Sequence, residues 1–220
     1  LFPYMSGGWS TNEHKELVKF NYHRAVKYVF IIMLPVTVVG VLFGHEILNL
    51  WLGSEFSDKS AVVLALFSVG ILLHALSQLP NTAVGSLGRP DLTAKLLLCE
   101  LLPYLFFCFL LTSNFGINGT AMAWLVRIAT ETTFLFIVAR KLLMKVPITF
   151  DFSYLWKGVG IAGVGGLGIL LLKLNLLDRT AQMISISSFV IMYSVGIWYF
   201  VFDKQDKTQL KSLVTFSNQR

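Results

Sequence analysis

Three ionisable residues lie inside long apolar stretches of the sequence. Glu100 lies in the apolar block 96–112, and Arg127 and Glu131 lie in the next block, 120–143. A charge within hydrocarbon is costly, so each of these groups marks a candidate functional site. A spacing of four puts Arg127 and Glu131 on one helical face. At about 1.5 Å of rise per residue, Glu100 and Glu131 reach similar depths and Arg127 lies about one turn further out, so we expect one cluster.

The arginine of this cluster is a candidate contact for phosphate or pyrophosphate. A guanidinium fork fits phosphate oxygens and stays charged at any physiological pH. Glu100 or Glu131 would then orient Arg127, or take up a proton or cation during a transport cycle. A buried ion pair that orients two helices and meets no ligand explains the same residues, and the sequence leaves both interpretations open.

A second polar set lies in the apolar block 61–87. His74, Gln78 and Asn81 follow one another at spacings of four and three and so share a helical face, beside a kink predicted at Pro80. Such a stripe faces protein or water, although His74 alone also fits a hydrogen-bonded interior histidine. The candidate substrate-binding residues are therefore Arg127, Glu131, Glu100, His74, Gln78 and Asn81.

Catalytic and metal-binding motifs are missing from the sequence. It has no hydrolase, zinc or nucleotide-binding signature. Cys99 and Cys108, the two cysteines, lie in one apolar block. The glycine-rich stretch 158–168 lies within an apolar block as well, which favours close helix packing over phosphate binding. We predict that the chain is not an enzyme and binds no metal or cofactor, with a proton or sodium gradient as the candidate energy source.

The elements that must position these residues are membrane helices. Of 220 residues, 55% are hydrophobic and 14% are charged, and the mean hydropathy is +0.68. Apolar blocks of roughly 17 to 25 residues match the thickness of a bilayer. The six blocks are 26–44, 61–87, 96–112, 120–143, 158–174 and 181–202. The sequence thus predicts an all-α, polytopic membrane helix bundle with about six transmembrane helices, and a water-soluble enzyme is excluded.

The basic residues predict the orientation of these helices. Most of the 18 Lys and Arg residues fall in alternate connections and at the two chain ends, where short cytoplasmic segments collect them. Both termini are then cytoplasmic, and the net charge of +6 reflects topology instead of nucleic-acid binding. Arg24, near the first helix start, and Arg89, in the turn 88–95, are candidate entrance residues for an anionic substrate, and topology anchoring explains each as well.

The predicted organisation is a cytoplasmic amphipathic lead-in at 1–25, a six-helix transmembrane lobe at 26–202 and a cytoplasmic tail at 203–220. Because the chain opens without an initiator Met, we expect it to be the C-terminal part of a longer protein. Residues 46–53 predict either a short interfacial helix with Trp51 at headgroup depth or a capping loop.

Several short motifs resemble the C-terminal half of bacterial polysaccharide flippases. They are LFPYMS at 1–6, Leu34-Pro35, ILNLWLG at 47–53, NTA at 81–83, LGRP at 87–90 and GINGTAMA at 116–123. Their order and spacing carry the resemblance, which extends from Leu1 to about Lys145. The superfamily also holds the multidrug (MATE) exporters and the lipid II flippases.

The resemblance implies that this chain is one lobe of a two-lobed transporter in the bacterial inner membrane. The N-terminal half of the same protein would supply the other lobe. A cavity between the lobes would bind the pyrophosphate and sugars of a polyprenyl-linked oligosaccharide, such as an O-antigen or exopolysaccharide repeat unit. Alternating access would carry that head group across, and membrane lipid and the polysaccharide polymerase machinery are further expected partners.

Two other classes of protein remain open on the sequence alone. A multidrug exporter of the same architecture predicts a more acidic or aromatic cavity, suited to cationic drugs. A structural or enzymatic membrane subunit is the second, although Asp91 and Asp151 in the cytoplasmic connections have no neighbouring base. Tyr104 and Trp124 are candidates for stacking on sugar rings, but the abundance of aromatic residues in the chain favours lipid contact or packing for both.

Overall fold

The computed structural model describes residues 12–143, 153–175 and 179–202. Over these ranges the chain is helical, with short turns and no strand, which confirms the predicted all-α membrane helix bundle. The tail 203–220 and residues 1–11 of the predicted lead-in lie outside the described residues. The helices are α1 Asn12–Leu42, α2 Gly44–Leu52, α3 Ser54–Ser86, α4 Pro90–Leu143, α5 Ser153–Asn175 and α6 Arg179–Phe200.

The chain forms two compact units, Leu1–Asp151 and Phe152–Arg220. Among the described residues of the first unit, three segments are long and apolar enough to cross a membrane: Asn21–Leu42, Ser54–Ser86 and Pro90–Leu142. The third has 53 residues, more than twice what one crossing needs. The predicted number of six crossings and the cytoplasmic location of both termini stay predictions.

Helix α1 joins the amphipathic lead-in to the first crossing without a break. The lead-in is predicted to end at residue 25, but α1 continues from Asn12 to Leu42. The physical reason is that residues 12–34 contain no glycine or proline to interrupt the backbone hydrogen bonds. Residues 12–25 therefore belong to the same helix as the first apolar block, and the predicted domain boundaries stay predictions.

Helix α4 is a hairpin of two arms, 90–115 and 117–143. Gly116 has φ 58° and ψ −136°, a backbone conformation that interrupts the helix and that glycine adopts without steric cost. The hydroxyls of Thr112 and Thr120 lie 2.8 Å apart, whereas eight residues of continuous helix would separate them by about 12 Å. Gly119 lies directly against the Leu111 carbonyl. The hairpin places the apolar blocks 96–112 and 120–143 on separate arms, as the sequence predicts.

Helix α3 is the centre of the first unit and packs against α1, α2 and α4. The Thr37 hydroxyl donates a hydrogen bond to the Ser68 carbonyl at 3.2 Å, and Gly40 lets α1 approach the same serine closely. On the other side, the Thr132 hydroxyl donates to the Leu73 carbonyl at 3.2 Å. The buried core at one end of these helices comprises Tyr22, Val26, Leu79, Ala83, Val84 and Ala139.

The short helix α2 occupies the segment for which a helix or a capping loop is predicted. His45 at its start forms an ion pair of 2.8 Å with Asp58 of α3. Trp51 is 85% exposed, so its ring is available to a lipid interface. A helix at Gly44–Leu52 therefore favours the first alternative, and its depth in the membrane stays a prediction.

The second unit consists of α5 packed on α6. Gly165 lies against Phe189, and Gly196 lies against Ile161, so a glycine on each helix admits a large side chain from the other. Ala162 is buried beside this contact. The prediction that the glycine-rich stretch serves close packing is confirmed at Gly165.

Candidate functional site

The α4 hairpin brings together the three ionisable residues singled out in the sequence. Glu100 belongs to the first arm, and Arg127 and Glu131 belong to the second. Arg127 Nε lies 3.7 Å from Glu100 Oε2, and Arg127 Nη2 lies 3.9 Å from Glu131 Oε2. The expected cluster is present, with one guanidinium between two carboxylates.

The contacts of Arg127 are ion pairs at long range. Charge-assisted hydrogen bonds between guanidinium and carboxylate measure about 2.7–2.9 Å, roughly 1 Å less than the two separations observed here. The guanidinium carbon also lies 5.3 Å from the centre of the Tyr104 ring, within the range of a cation–π interaction. Charge and the aromatic face thus hold Arg127, and its N–H donors can bind a ligand.

Glu100 is buried and has no hydrogen bond to compensate its charge among the described residues. Its side chain is 9% exposed, and among the described residues neither carboxylate oxygen finds a hydrogen-bond partner. An unsatisfied buried polar group costs about 1–3 kcal/mol, and more when it is charged. Structural ion pairs normally avoid such a cost by closer contact, so this geometry favours a site that exchanges partners.

An open groove of about 270 Å³ lies between the two arms of α4. Arg127 is 28% exposed there, whereas Glu131 is buried behind it. Small-molecule sites usually measure about 300–1,000 Å³, so this groove holds a fragment of a large ligand and not an oligosaccharide. Its lining comprises Leu96, Cys99, Glu100, Pro103, Tyr104, Phe107, Ala123, Val126, Arg127 and Thr130.

The polar stripe of α3 lies outside this groove. Gln78 donates a side-chain hydrogen bond to His74 Nε2 at 3.2 Å, and both side chains are at the surface of the helix. Asn81 instead accepts a hydrogen bond of 3.1 Å from the Thr93 hydroxyl and so links α3 to α4. A role of His74, Gln78 and Asn81 in substrate binding stays a prediction, as does the kink at Pro80.

The two candidate entrance residues lie in different settings, Arg89 in the turn between α3 and α4 and Arg24 within α1. Arg89 follows α3 and donates to Asp91, with Nε at 3.1 Å from Oδ1. Lys95 lies 3.8 Å from the same carboxylate, so three charges share this turn. Arg24 lies partly buried in α1. Their role in admitting an anionic substrate stays a prediction.

The two aromatic candidates have different surroundings. Trp124 lies against the backbone of Gly70 and meets Phe67 edge-on at 5.0 Å between ring centroids, so it packs α4 on α3. Tyr104 lines the groove, and Arg127 lies over its ring.

The apolar lining of the groove was not predicted as a site. The lining residues of the first arm recur at helical spacings of three and four, and this periodicity is visible in the sequence. The same spacing describes any helix face in a membrane, so only the opposing arm shows that this face encloses a groove.

Similarity to known proteins supports the interpretation of this bundle as part of a flippase. The chain is 29% identical over 135 residues to a protein of Shigella flexneri named "Putative O-antigen transporter", covering 61% of this chain and 31% of that protein. It is 25% identical over 153 residues to the "Probable low-salt glycan biosynthesis flippase Agl15" of Haloferax volcanii, covering 70% and 31%. No family profile and no solved structure matches.

These relatives confirm the resemblance to polysaccharide flippases. Both names describe a transporter or a flippase and neither describes an enzyme, in agreement with the prediction that this chain is not one. The apolar helices and the bacterial relative support a multi-pass protein of the bacterial inner membrane. The chain spans about a third of the length of each of these relatives.

Proposed function

We propose that this chain is one lobe of a transporter that flips polyprenyl-pyrophosphate-linked oligosaccharide repeat units across the inner membrane by alternating access, for assembly of a surface polysaccharide. The other lobe would come from the N-terminal half of the same protein. A sugar pyrophosphate cannot cross hydrocarbon unaided, because its charged and polar groups would lose their hydration. An open groove that offers a guanidinium to the phosphates would remove part of that cost.

The observation that carries this proposal is the state of Arg127. Its guanidinium lines an open groove between two apolar helix arms, and its two carboxylate neighbours lie 3.7 and 3.9 Å away. A phosphate oxygen at normal hydrogen-bond distance would approach closer than either carboxylate and would make stronger contacts. Arg127 would therefore exchange Glu100 and Glu131 for the pyrophosphate when substrate enters.

The size of the groove limits what this lobe does alone. At about 270 Å³ it accommodates a phosphate group or one sugar ring. The rest of the head group would be bound by residues of the opposite lobe, and a polymerase complex would receive the flipped product. Coupling to a proton or sodium gradient remains part of the proposal, with Glu100 and Glu131 as the groups that would respond to it.

Replacement of Arg127 in the full-length protein tests the proposal. We expect Arg127→Gln to abolish export of the repeat unit at normal protein level. Arg127→Lys should retain only part of it, because an ammonium lacks the bidentate fork. Arg140→Gln is the matched control, since Arg140 is exposed at the end of the same arm. Export by Arg127→Gln equal to that of the control would remove Arg127 from the mechanism.

A multidrug exporter is the second candidate, and one observation favours it. The cluster contains two carboxylates to one arginine, and Glu100 has no hydrogen-bond partner for either oxygen among the described residues. A cationic drug would satisfy that carboxylate, and Tyr104 and Phe107 in the lining would contact its rings. This candidate predicts that loss of the protein increases sensitivity to cationic dyes and leaves lipid-linked oligosaccharide at its normal level.

A further inference from the structure

The groove in α4 has a charged part and, nearer the hairpin tip, an apolar part. The antiparallel arms place Arg127 opposite Glu100 and Tyr104 in the charged part, with Leu96, Cys99 and Thr130 on its far side from the tip. Toward the hairpin tip, the lining consists of Phe107 from the first arm and of Ala123 and Val126 from the second. At the tip itself the arms are in direct contact through Gly119, so the groove closes there.

The length of the groove corresponds to one leaflet of a bilayer. The first arm enters the apolar block at Leu96, so Glu100 lies about 6 Å and Phe107 about 16 Å along the helix from that point. The hydrocarbon core is about 30 Å thick, which places Phe107 near its middle. With the predicted orientation, the charged part lies nearer the cytoplasmic surface and Phe107 nearer the midplane, as the head and chain of an inner-leaflet lipid do.

We propose that this groove holds the first part of the isoprenoid chain of the substrate while the head group is still on the cytoplasmic side. The inference rests on the proposed function and extends it to the lipid part of the substrate. The anionic phosphate would bind Arg127, and the chain next to it would run over Pro103, Phe107 and Val126. The groove matches both parts of such a molecule, with a guanidinium for the phosphate and an apolar surface toward the hairpin tip for the first part of the chain.

The groove would distinguish an isoprenoid chain from other lipid chains by its shape and not by its hydrophobicity. Lipid tails are as apolar as the groove, so moving a chain from bilayer to groove gains little from the hydrophobic effect. Packing of the branched, unsaturated chain against the rings and the proline would supply the difference. An isoprenyl phosphate should therefore bind better than a phospholipid that carries the same kind of charge.

Photolabelling of the full-length protein in lipid nanodiscs tests this inference. The probe is a polyprenyl phosphate with a diazirine on the isoprene unit next to the phosphate. Val126→Trp fills the groove, and Val62→Trp is the matched control, because the two valines are 50% and 51% exposed. We expect Val126→Trp to lower labelling of 96–130 at least about fivefold and Val62→Trp to leave it unchanged. Equal labelling of the two variants would overturn the proposal.

Competition identifies the lipid. Unlabelled polyprenyl phosphate should remove the label, and phosphatidylglycerol at the same concentration should not. Equal competition by both would show a general lipid contact and overturn the inference. Labelling measures binding directly, so failure of this inference can be distinguished from failure of the proposed function. If the proposed function is wrong, cells that lack the protein will contain normal amounts of lipid-linked oligosaccharide, independently of the labelling result.

Discussion

The position of Arg127 depends on charges and a ring rather than on hydrogen bonds. Glu100 attracts the guanidinium from the opposite arm at 3.7 Å, and Glu131 attracts it from the same arm at 3.9 Å. Tyr104 presents its aromatic face at 5.3 Å. Each contact restrains the side chain without a short bond to its N–H donors. A ligand can then bind these donors without first breaking a hydrogen bond.

The ring of Tyr104 should matter more than its hydroxyl. A cation–π contact contributes about 0.5–2 kcal/mol, which corresponds to roughly a 2- to 30-fold change in binding. We expect Tyr104→Leu to weaken binding of a polyprenyl pyrophosphate by a factor in that range, whereas Tyr104→Phe keeps the ring and stays near wild type. Titration of the purified full-length protein would measure both. Equal losses in the two variants would assign the effect to the hydroxyl.

At the level of helices, α3 packs closely against α4 at Gly70, because glycine has no side chain there to meet the Trp124 ring. A Cβ at this position would meet the Trp124 ring, which also contacts Phe67 edge-on. A Cβ added at Gly85, in the same helix, would have open space around it, with no neighbour within 4 Å among the described residues. The two glycines therefore separate the effect of packing from the effect of helix propensity.

Gly70→Ala should destabilise the protein and Gly85→Ala should not. Overpacking costs about 1–3 kcal/mol, whereas alanine in a helix gains about 0.5–1 kcal/mol over glycine. We expect the apparent melting temperature in detergent to fall for Gly70→Ala and to stay level or rise for Gly85→Ala. A larger loss for Gly85→Ala would contradict the packing of Trp124 between α3 and α4.

The orientation of the helices is testable with two exposed lysines. Lys59 follows α2 on the predicted outer side, and Lys95 lies at the predicted cytoplasmic start of α4; their side chains are 70% and 74% exposed. After replacement of Cys99 and Cys108, a membrane-impermeant maleimide should label Lys59→Cys in intact cells, and Lys95→Cys only after lysis. The opposite pattern would invert the topology and the leaflet assigned to the groove.

The sequence predicted the helices and the charged cluster but not the way in which the helices fit. Depth counting along two apolar blocks was enough to place Glu100 beside Arg127, because helix rise is constant. The bond between Asn81 and Thr93, like the contact of Trp124 with Gly70, depends on which faces meet in three dimensions. Helical periodicity alone carries no information on that choice, since every face of a membrane helix is largely apolar.

On the scale of the whole molecule, the proposed function makes this chain one part of a larger transporter. The chain spans about a third of the length of the two relatives, and its groove is too small for an oligosaccharide. A binding site shared with a second lobe explains both facts. The lobe described here would contribute Arg127 and the groove for the isoprenoid chain. Most contacts with the sugars would come from the opposite lobe.

The central claim is that the full-length protein flips a lipid-linked oligosaccharide through the site at Arg127. The most direct test measures that lipid in cells lacking the protein, together with the access of periplasmic enzymes to its head group. We predict accumulation in a protected, cytoplasmic-facing form, reversed by the wild-type gene and not by Arg127→Ala at equal protein level. Normal amounts of the lipid, or full rescue by Arg127→Ala, would contradict the account.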